Sequence, residues 1–117
     1  MTNKYNEGDI WLIKYVFEDN PTKFANRPVV LINDNENSYI CVKMTKQSPR
    51  DKYEYSIKDW ASAGLNMQTT IRTSKMLPIS DKIIIKKLGT LQPYDLSEFR
   101  NKLEEYANYI KSTKAGS

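Results

Sequence analysis

The sequence predicts an α+β domain in which a small, strongly curved sheet or barrel of short strands is followed by one C-terminal helix. Three observations carry this. Short runs rich in β-branched and aromatic residues recur between polar, Pro- or Gly-marked breaks as far as Leu91. After Pro93 the apolar period changes, with Leu96, Phe99, Leu103, Tyr106 and Ile110 spaced by three and four. The 117 residues suit a single core, expected over about 7–110 of one domain spanning 1–117.

In chain order, GDIWLIKYVF (8–17) reads as the first strand. A polar loop with Pro21 follows, and RPVVLI (27–32) is the second strand. Pro28 belongs at its beginning, because proline cannot donate to a central ladder. NDNENS (33–38) is a turn, YICVKMT (39–45) a third strand, and KQSPRDK a basic loop. YEYSI (53–57) alternates as a fourth strand, and KDWASAG reads as one helical turn closed by Gly64. Residues 67–79 form a fifth strand bent near Ser74, and 81–91 a short helix leading into a strand at KLGTL. Pro93 suits a first helical turn, with Asp95 and Glu98 at the positive end of the helix dipole. Residues 112–117 read as a frayed tail.

Composition narrows the chemistry. There is no histidine and one cysteine, so a zinc site of the usual ligands is close to excluded, and catalysis would rest on Arg, Lys, Tyr, carboxylates or hydroxyls. No metal and no cofactor are expected. Cys41, in the apolar run YICV, reads as a core residue rather than a reactive thiol. No apolar stretch approaches the ~18 residues that cross a bilayer, and charges stand where a signal peptide would be apolar, so a cytoplasmic protein is expected. The net charge of +4 is uneven: residues 43–58 carry five basic and two acidic side chains, and 72–87 five basic and one acidic. These segments either converge on one face that attracts a polyanion or form two solvated lysine-rich loops.

Arg27 and Thr45 stand at the outer ends of two apolar runs separated by a polar turn. An antiparallel hairpin with its turn centred between Asn35 and Glu36 sets Arg27 opposite Met44 and Thr45 opposite Asn26. Both then stand at the open end, although a one-residue slip changes their faces. A guanidinium fork fits a phosphate bidentately and a hydroxyl donates to a phosphate oxygen. The plainer alternative is an exposed Arg and a strand-end Thr.

GDIWLI (8–13), NRPVVLIND (26–34), VKMT (42–45), KDWASAGL (58–65), TTIRTSK (69–75) and KKLGTL (86–91) stand in an order and spacing that resemble the MazF/PemK toxins of type II toxin–antitoxin systems, nearer the PemK-like branch, over roughly residues 7–106. The resemblance implies a small SH3-like half-open β-barrel of the CcdB/MazF/PemK toxin type, with short helices and a C-terminal helix. It implies a homodimeric, metal-independent endoribonuclease that cuts single-stranded RNA at a short sequence and is partnered by a cognate antitoxin. By position, Arg27 falls on the family's catalytic arginine and Thr45 on its catalytic Ser/Thr, while Thr69 and Arg72 fall near the RNA path. Some members carry a histidine or second basic group before the arginine. This chain has PTKFAN there, with Lys23 as its basic group, so the resemblance does not fix the general base.

Lys43, Lys46, Arg50, Lys52, Arg72 and Lys75 are candidates for a groove that tracks the RNA backbone. Tyr53, Tyr55 and Trp60 are candidates for base stacking, with Trp60 read as core in preference. Cleavage specificity is expected in the loops 18–26 and 46–52. Two other functions compete. Relatives that poison DNA gyrase use a C-terminal tryptophan, whereas this chain has none after Trp60 and ends STKAGS. The other is a non-catalytic small barrel that binds nucleic acid or protein.

Overall fold

The structure, a computed structural model, describes residues 5–17, 19–33 and 39–115. They form β1 (Asp9–Phe17), β2 (Asn20–Asn33), β3 (Tyr39–Thr45), β4 (Tyr55–Ser56), β5 (Thr70–Pro78), β6 (Ile84–Thr90) and α1 (Pro93–Ala115). The strands pair antiparallel in one six-stranded sheet of order β4-β5-β3-β2-β1-β6. No ladder joins β4 to β6, so the curved sheet is a half-open barrel.

Bulges supply the curvature. Against β1, β6 skips a residue twice, passing from Gly89 to Lys87 and from Lys86 to Ile84. Between β3 and β5, Val42 pairs with Met76 and Met44 with Ile71, so Lys43 alone stands opposite residues 72–75. This is the bend expected near Ser74.

Strand alternation gives the sheet two apolar faces. Ile10, Val30, Ile32, Val42 and Met44 point to one, where Tyr55, Ile57, Ile71, Leu91 and Phe99 complete the main core. Of the expected helical stripe, Phe99 is fully buried, and Leu96 and Leu103 pack against the same core. Ile13, Val29, Leu31 and Cys41 point to the other face, under Tyr5, Trp11, Tyr39, Leu77 and Ile84. Cys41 is fully buried, which pushes its thiol up to about 11.

Two contacts brace the half-open barrel. Residues 60–64 form a turn in which the N–H groups of Ala63 and Leu65 both donate to the Trp60 carbonyl, at 3.2 and 3.0 Å. Gly64 ends it with φ +93°, a conformation that glycine adopts without a Cβ penalty. The turn sits directly on β6: a Cβ at Gly89 would lie 1.8 Å from the Ala63 carbonyl oxygen. The other contact is made by Asp95, buried in the first turn of α1. Its carboxylate accepts from the Tyr55 hydroxyl at 2.5 Å and from the N–H groups of Lys58 and Asp59 at 2.9 Å. Burial first, and the Asp95 bond second, hold the Tyr55 phenol protonated far above its ordinary range.

Several expectations are corrected. Residues 20–26 are strand, not loop: β2 runs through Pro21 because β1 is long enough to pair with it down to Phe17↔Asn20. The helix expected after Asp81 is a turn, in which Ile83 N–H donates to Ser80 O at 3.1 Å, and the strand starts at Ile84. The period-two pairing of β6 with β1 prevails there over the short apolar run IIIK. The expected helical turn closed by Gly64 is the 60–64 turn, and β4 has only two residues. The helix continues through residues 112–115, read as tail, since nothing in STKA breaks it. The turn at 34–38 lies outside the described residues. Among the described residues, no helix is long and apolar enough to cross a membrane.

Gly89→Ala should cost about 3 kcal/mol or more, because backbone has to move to admit the methyl group; denaturant unfolding measures this. Cys41 should react with a thiol reagent at neutral pH only as fast as the protein unfolds, and labelling of the folded protein at the rate of a free thiol would contradict its placement.

Candidate functional site

The hairpin of β2 and β3 holds the main departure from the expected geometry. Its pairs are Val29↔Lys43, Val30↔Val42, Leu31↔Cys41, Ile32↔Ile40 and Asn33↔Tyr39, one residue displaced from the expected register. Burial decides this: the observed pairing puts Val30 and Val42 together in one core and Leu31 and Cys41 together in the other. Alternation from Val29 and Lys43 assigns Arg27 and Thr45 to one face, both past the last β2–β3 pair. The expected pairing of Arg27 with Met44 is therefore corrected: Arg27 pairs with Ile13 of β1 and Met44 with Ile71 of β5.

The ladder itself ends at Val29↔Lys43, one residue before Pro28, which has no N–H to give. Pro28 thus lies inside β2, opposite Leu12 of β1, at the point where the partnership with β3 stops. Beyond it β2 stays with β1, while β3 stays with β5 as far as Thr45↔Thr70. The sheet parts into two ribbons, and a groove of about 680 Å³ lies between them.

The groove is lined by Tyr15, Arg27, Pro28, Lys43, Met44, Thr45, Lys46, Gln47, Gly64, Leu65, Asn66, Thr69, Arg72 and Leu88. Four of these are cationic, from three strands and one loop, and none is acidic. Arg27 is exposed and has no hydrogen bond or ion pair among the described residues. The Thr45 hydroxyl oxygen accepts from Gln47 N–H at 3.3 Å, which leaves its proton to donate. Lys43 places its ammonium 3.9 Å from the centroid of the Tyr15 ring, a cation–π contact on the groove wall. Arg72 gives its Nε–H to Glu54 Oε2 at 3.1 Å, with the Glu54 side chain 3% exposed. The arrangement is a cradle for an anion, with a planar donor fork and a hydroxyl at the mouth of the split.

Of the residues singled out from the sequence, Arg27, Lys43, Thr45, Lys46, Thr69 and Arg72 line this groove. Thr69 is buried and its hydroxyl donates to Met67 O at 3.0 Å, so it serves as wall. Lys75 lines a neighbouring cavity of about 560 Å³ that shares Tyr15 and Lys43 with the groove. Lys23, Arg50 and Lys52 line neither. Arg50 donates to the Gln47 side chain, and Lys52 lies 5.3 Å from the Tyr53 ring centroid. The aromatic candidates are used elsewhere: Tyr55 is buried, Tyr53 packs edge-on to Tyr106 of α1, and Trp60 packs on the main core. The aromatic side chain that does line the groove, Tyr15, was passed over in the sequence, although alternation along Trp11, Ile13 and Tyr15 sets it on the face that holds Arg27.

Comparison with known proteins adds a family and a fold. The sequence matches the family described as PemK-like, MazF-like toxin of type II toxin–antitoxin system over residues 6–107. A mycobacterial endoribonuclease in complex with its cognate antitoxin is similar with a TM-score of 0.72 at 10% identity, over 89% of this chain and 95% of that one. A second mycobacterial endoribonuclease gives 0.68 at 11% identity, over 92% and 95%. The Mycobacterium tuberculosis toxin MazF-mt6 gives 0.60 at 14% identity, over 83% and 96%. Comparison with curated protein sequences finds no match.

Proposed function

Because the chain belongs to the PemK-like, MazF-like toxins of type II toxin–antitoxin systems, we propose that it is a sequence-specific endoribonuclease that cleaves single-stranded RNA in the groove between the two ribbons. One observation carries this reading: Arg27 and Thr45 share a groove with three further cations and no carboxylate in its lining. RNA is the anion that suits it, because RNA brings its own nucleophile in the 2′-hydroxyl beside the scissile phosphate. The protein then needs to align that oxygen with the leaving 5′-oxygen and stabilise charge on the phosphate.

In this mechanism the 2′-hydroxyl gives up its proton as its oxygen bonds to phosphorus, the bond to the 5′-oxygen breaks, and that oxygen takes up a proton, leaving a 2′,3′-cyclic phosphate and a 5′-hydroxyl. Arg27 holds the non-bridging oxygens with its planar donor fork and so stabilises the pentacoordinate charge. Thr45, whose proton is available, donates to the phosphate or orients the 2′-hydroxyl. Lys43, Lys46 and Arg72 hold the flanking backbone. The chemistry asks for neither a histidine nor a metal ion. The family name and the antitoxin complex of the similar endoribonuclease support a protein antitoxin as the partner. A homodimer is the assembly that the resemblance to the family implies.

Incubation with single-stranded RNA in EDTA should give cyclic-phosphate ends. Arg27→Ala should slow cleavage about 10²–10³-fold, as for loss of a preorganised transition-state donor. Intact RNA from the parent protein would overturn the assignment in favour of a binding barrel or a toxin with another target. With four groove cations on phosphates, log affinity for a non-cleavable single strand should fall with log salt at a slope of about −2.8, and a slope near zero would remove the electrostatic account.

A further inference from the structure

The groove has one buried carboxylate behind it, and its position is informative. Glu54 is outside the lining, 6% exposed, yet each of its oxygens is committed to an element that bears on the groove. Oε2 accepts from Arg72 Nε–H at 3.1 Å, and Oε1 accepts from the Arg50 backbone N–H at 2.9 Å. Glu54 is itself held by its own N–H, which donates to Asp51 Oδ1 at 3.0 Å. It therefore ties β5 to the loop 46–53, which carries Lys46 and Gln47 into the groove.

The Arg72 bond is made through Nε alone, and no other hydrogen bond or ion pair engages this guanidinium among the described residues. A planar fork gripped at Nε is fixed in its plane and keeps its two Nη groups for a ligand. Arg72 needs such a grip. It opens the four-residue bulge opposite Lys43, where the ladder gives no regular support. We propose that Glu54 is a positioning residue: it aims the Nη groups of Arg72 at an RNA phosphate and locks the 46–53 loop beside it. This rests on the reading of the groove as an RNA site.

The sign of one substitution separates positioning from mere charge. Glu54→Gln keeps the size of the side chain and an oxygen for Arg50 N–H but removes a negative charge from behind a cationic groove. If Glu54 acted only as a nearby charge, the change would tighten RNA binding and leave kcat alone. If it aims Arg72, kcat should fall about tenfold without a rise in KM from lost charge attraction, and Glu54→Asp, too short to reach both partners, should not restore it. In an Arg72→Ala background nothing is left to aim, so Glu54→Gln should leave kcat unchanged and binding unchanged or tighter.

The experiment is this double-mutant cycle, read as kcat and KM on RNA and as affinity for an all-2′-deoxy strand, with thermal unfolding of every variant alongside. Non-additivity in kcat or affinity, with thermal unfolding showing every variant folded at the assay temperature, supports positioning. Equal effects of Glu54→Gln in both backgrounds, or a Glu54→Gln protein that cleaves like its parent, overturn it. A parent that binds the strand but does not cut RNA overturns the nuclease reading alone, and the affinity cycle still decides the role of Glu54. A parent that binds neither strand overturns both.

Discussion

The organisation of the molecule depends on a missing backbone donor. Pro28 ends the β2–β3 ladder inside a strand that continues for several residues with β1. A continuous sheet would have covered the ends of both strands with regular pairing. Instead the β1/β2 ribbon and the β3/β5 ribbon part company, and the residues beyond the split, Arg27 on one side and Met44 to Gln47 on the other, become walls of a groove. The Arg-Pro pair in the sequence thus has a joint meaning: proline opens the sheet and arginine occupies the opening.

A split sheet is only useful if the ribbons are held in fixed relation. Two devices do this without lengthening any ladder. One is the seat of the 60–64 turn on β6, where glycines allow backbone to meet backbone across the gap between the edge strands. The other is a pair of buried carboxylates. Asp95 collects three donors and binds the start of α1 to the segment after β4, while Glu54 joins the basic loop to β5. A buried carboxylate supplied with this many donors is stabilised rather than strained, since each oxygen that leaves water finds a charge-assisted hydrogen bond. Rigidity at the rear of the groove also matches the demand of a reaction whose nucleophile comes with the substrate. Where the protein supplies mainly alignment and charge, small displacements of a donor are costly.

Charge follows the same logic. The basic segments around 43–58 and 72–87 do not converge as wholes. Lys43, Lys46 and Arg72 reach the groove, whereas Arg50 and Lys52 are engaged elsewhere and Lys75 turns into the adjoining cavity. What distinguishes the groove is less the number of cations than the exclusion of carboxylates from its lining. Asp51 serves the loop's own N–H groups, and Glu54 is spent behind Arg72.

Local pattern in the sequence determined most of the strands, the terminal helix and the core role of Cys41. These are set by period, by proline and by turn residues, all of which act over a few positions. Tertiary structure decided what depends on a partner. The hairpin register turned on which faces the valines and Cys41 could bury, and 20–26 became strand because β1 offered a ladder. Segment 81–85 gave up its helix to a turn and to pairing with β1, and Tyr15 replaced Tyr53 and Tyr55 as the groove's aromatic side chain because α1 and Asp95 claimed those two. Alternation assigns a residue to a face, but only packing between elements distant in the chain determines what that face meets.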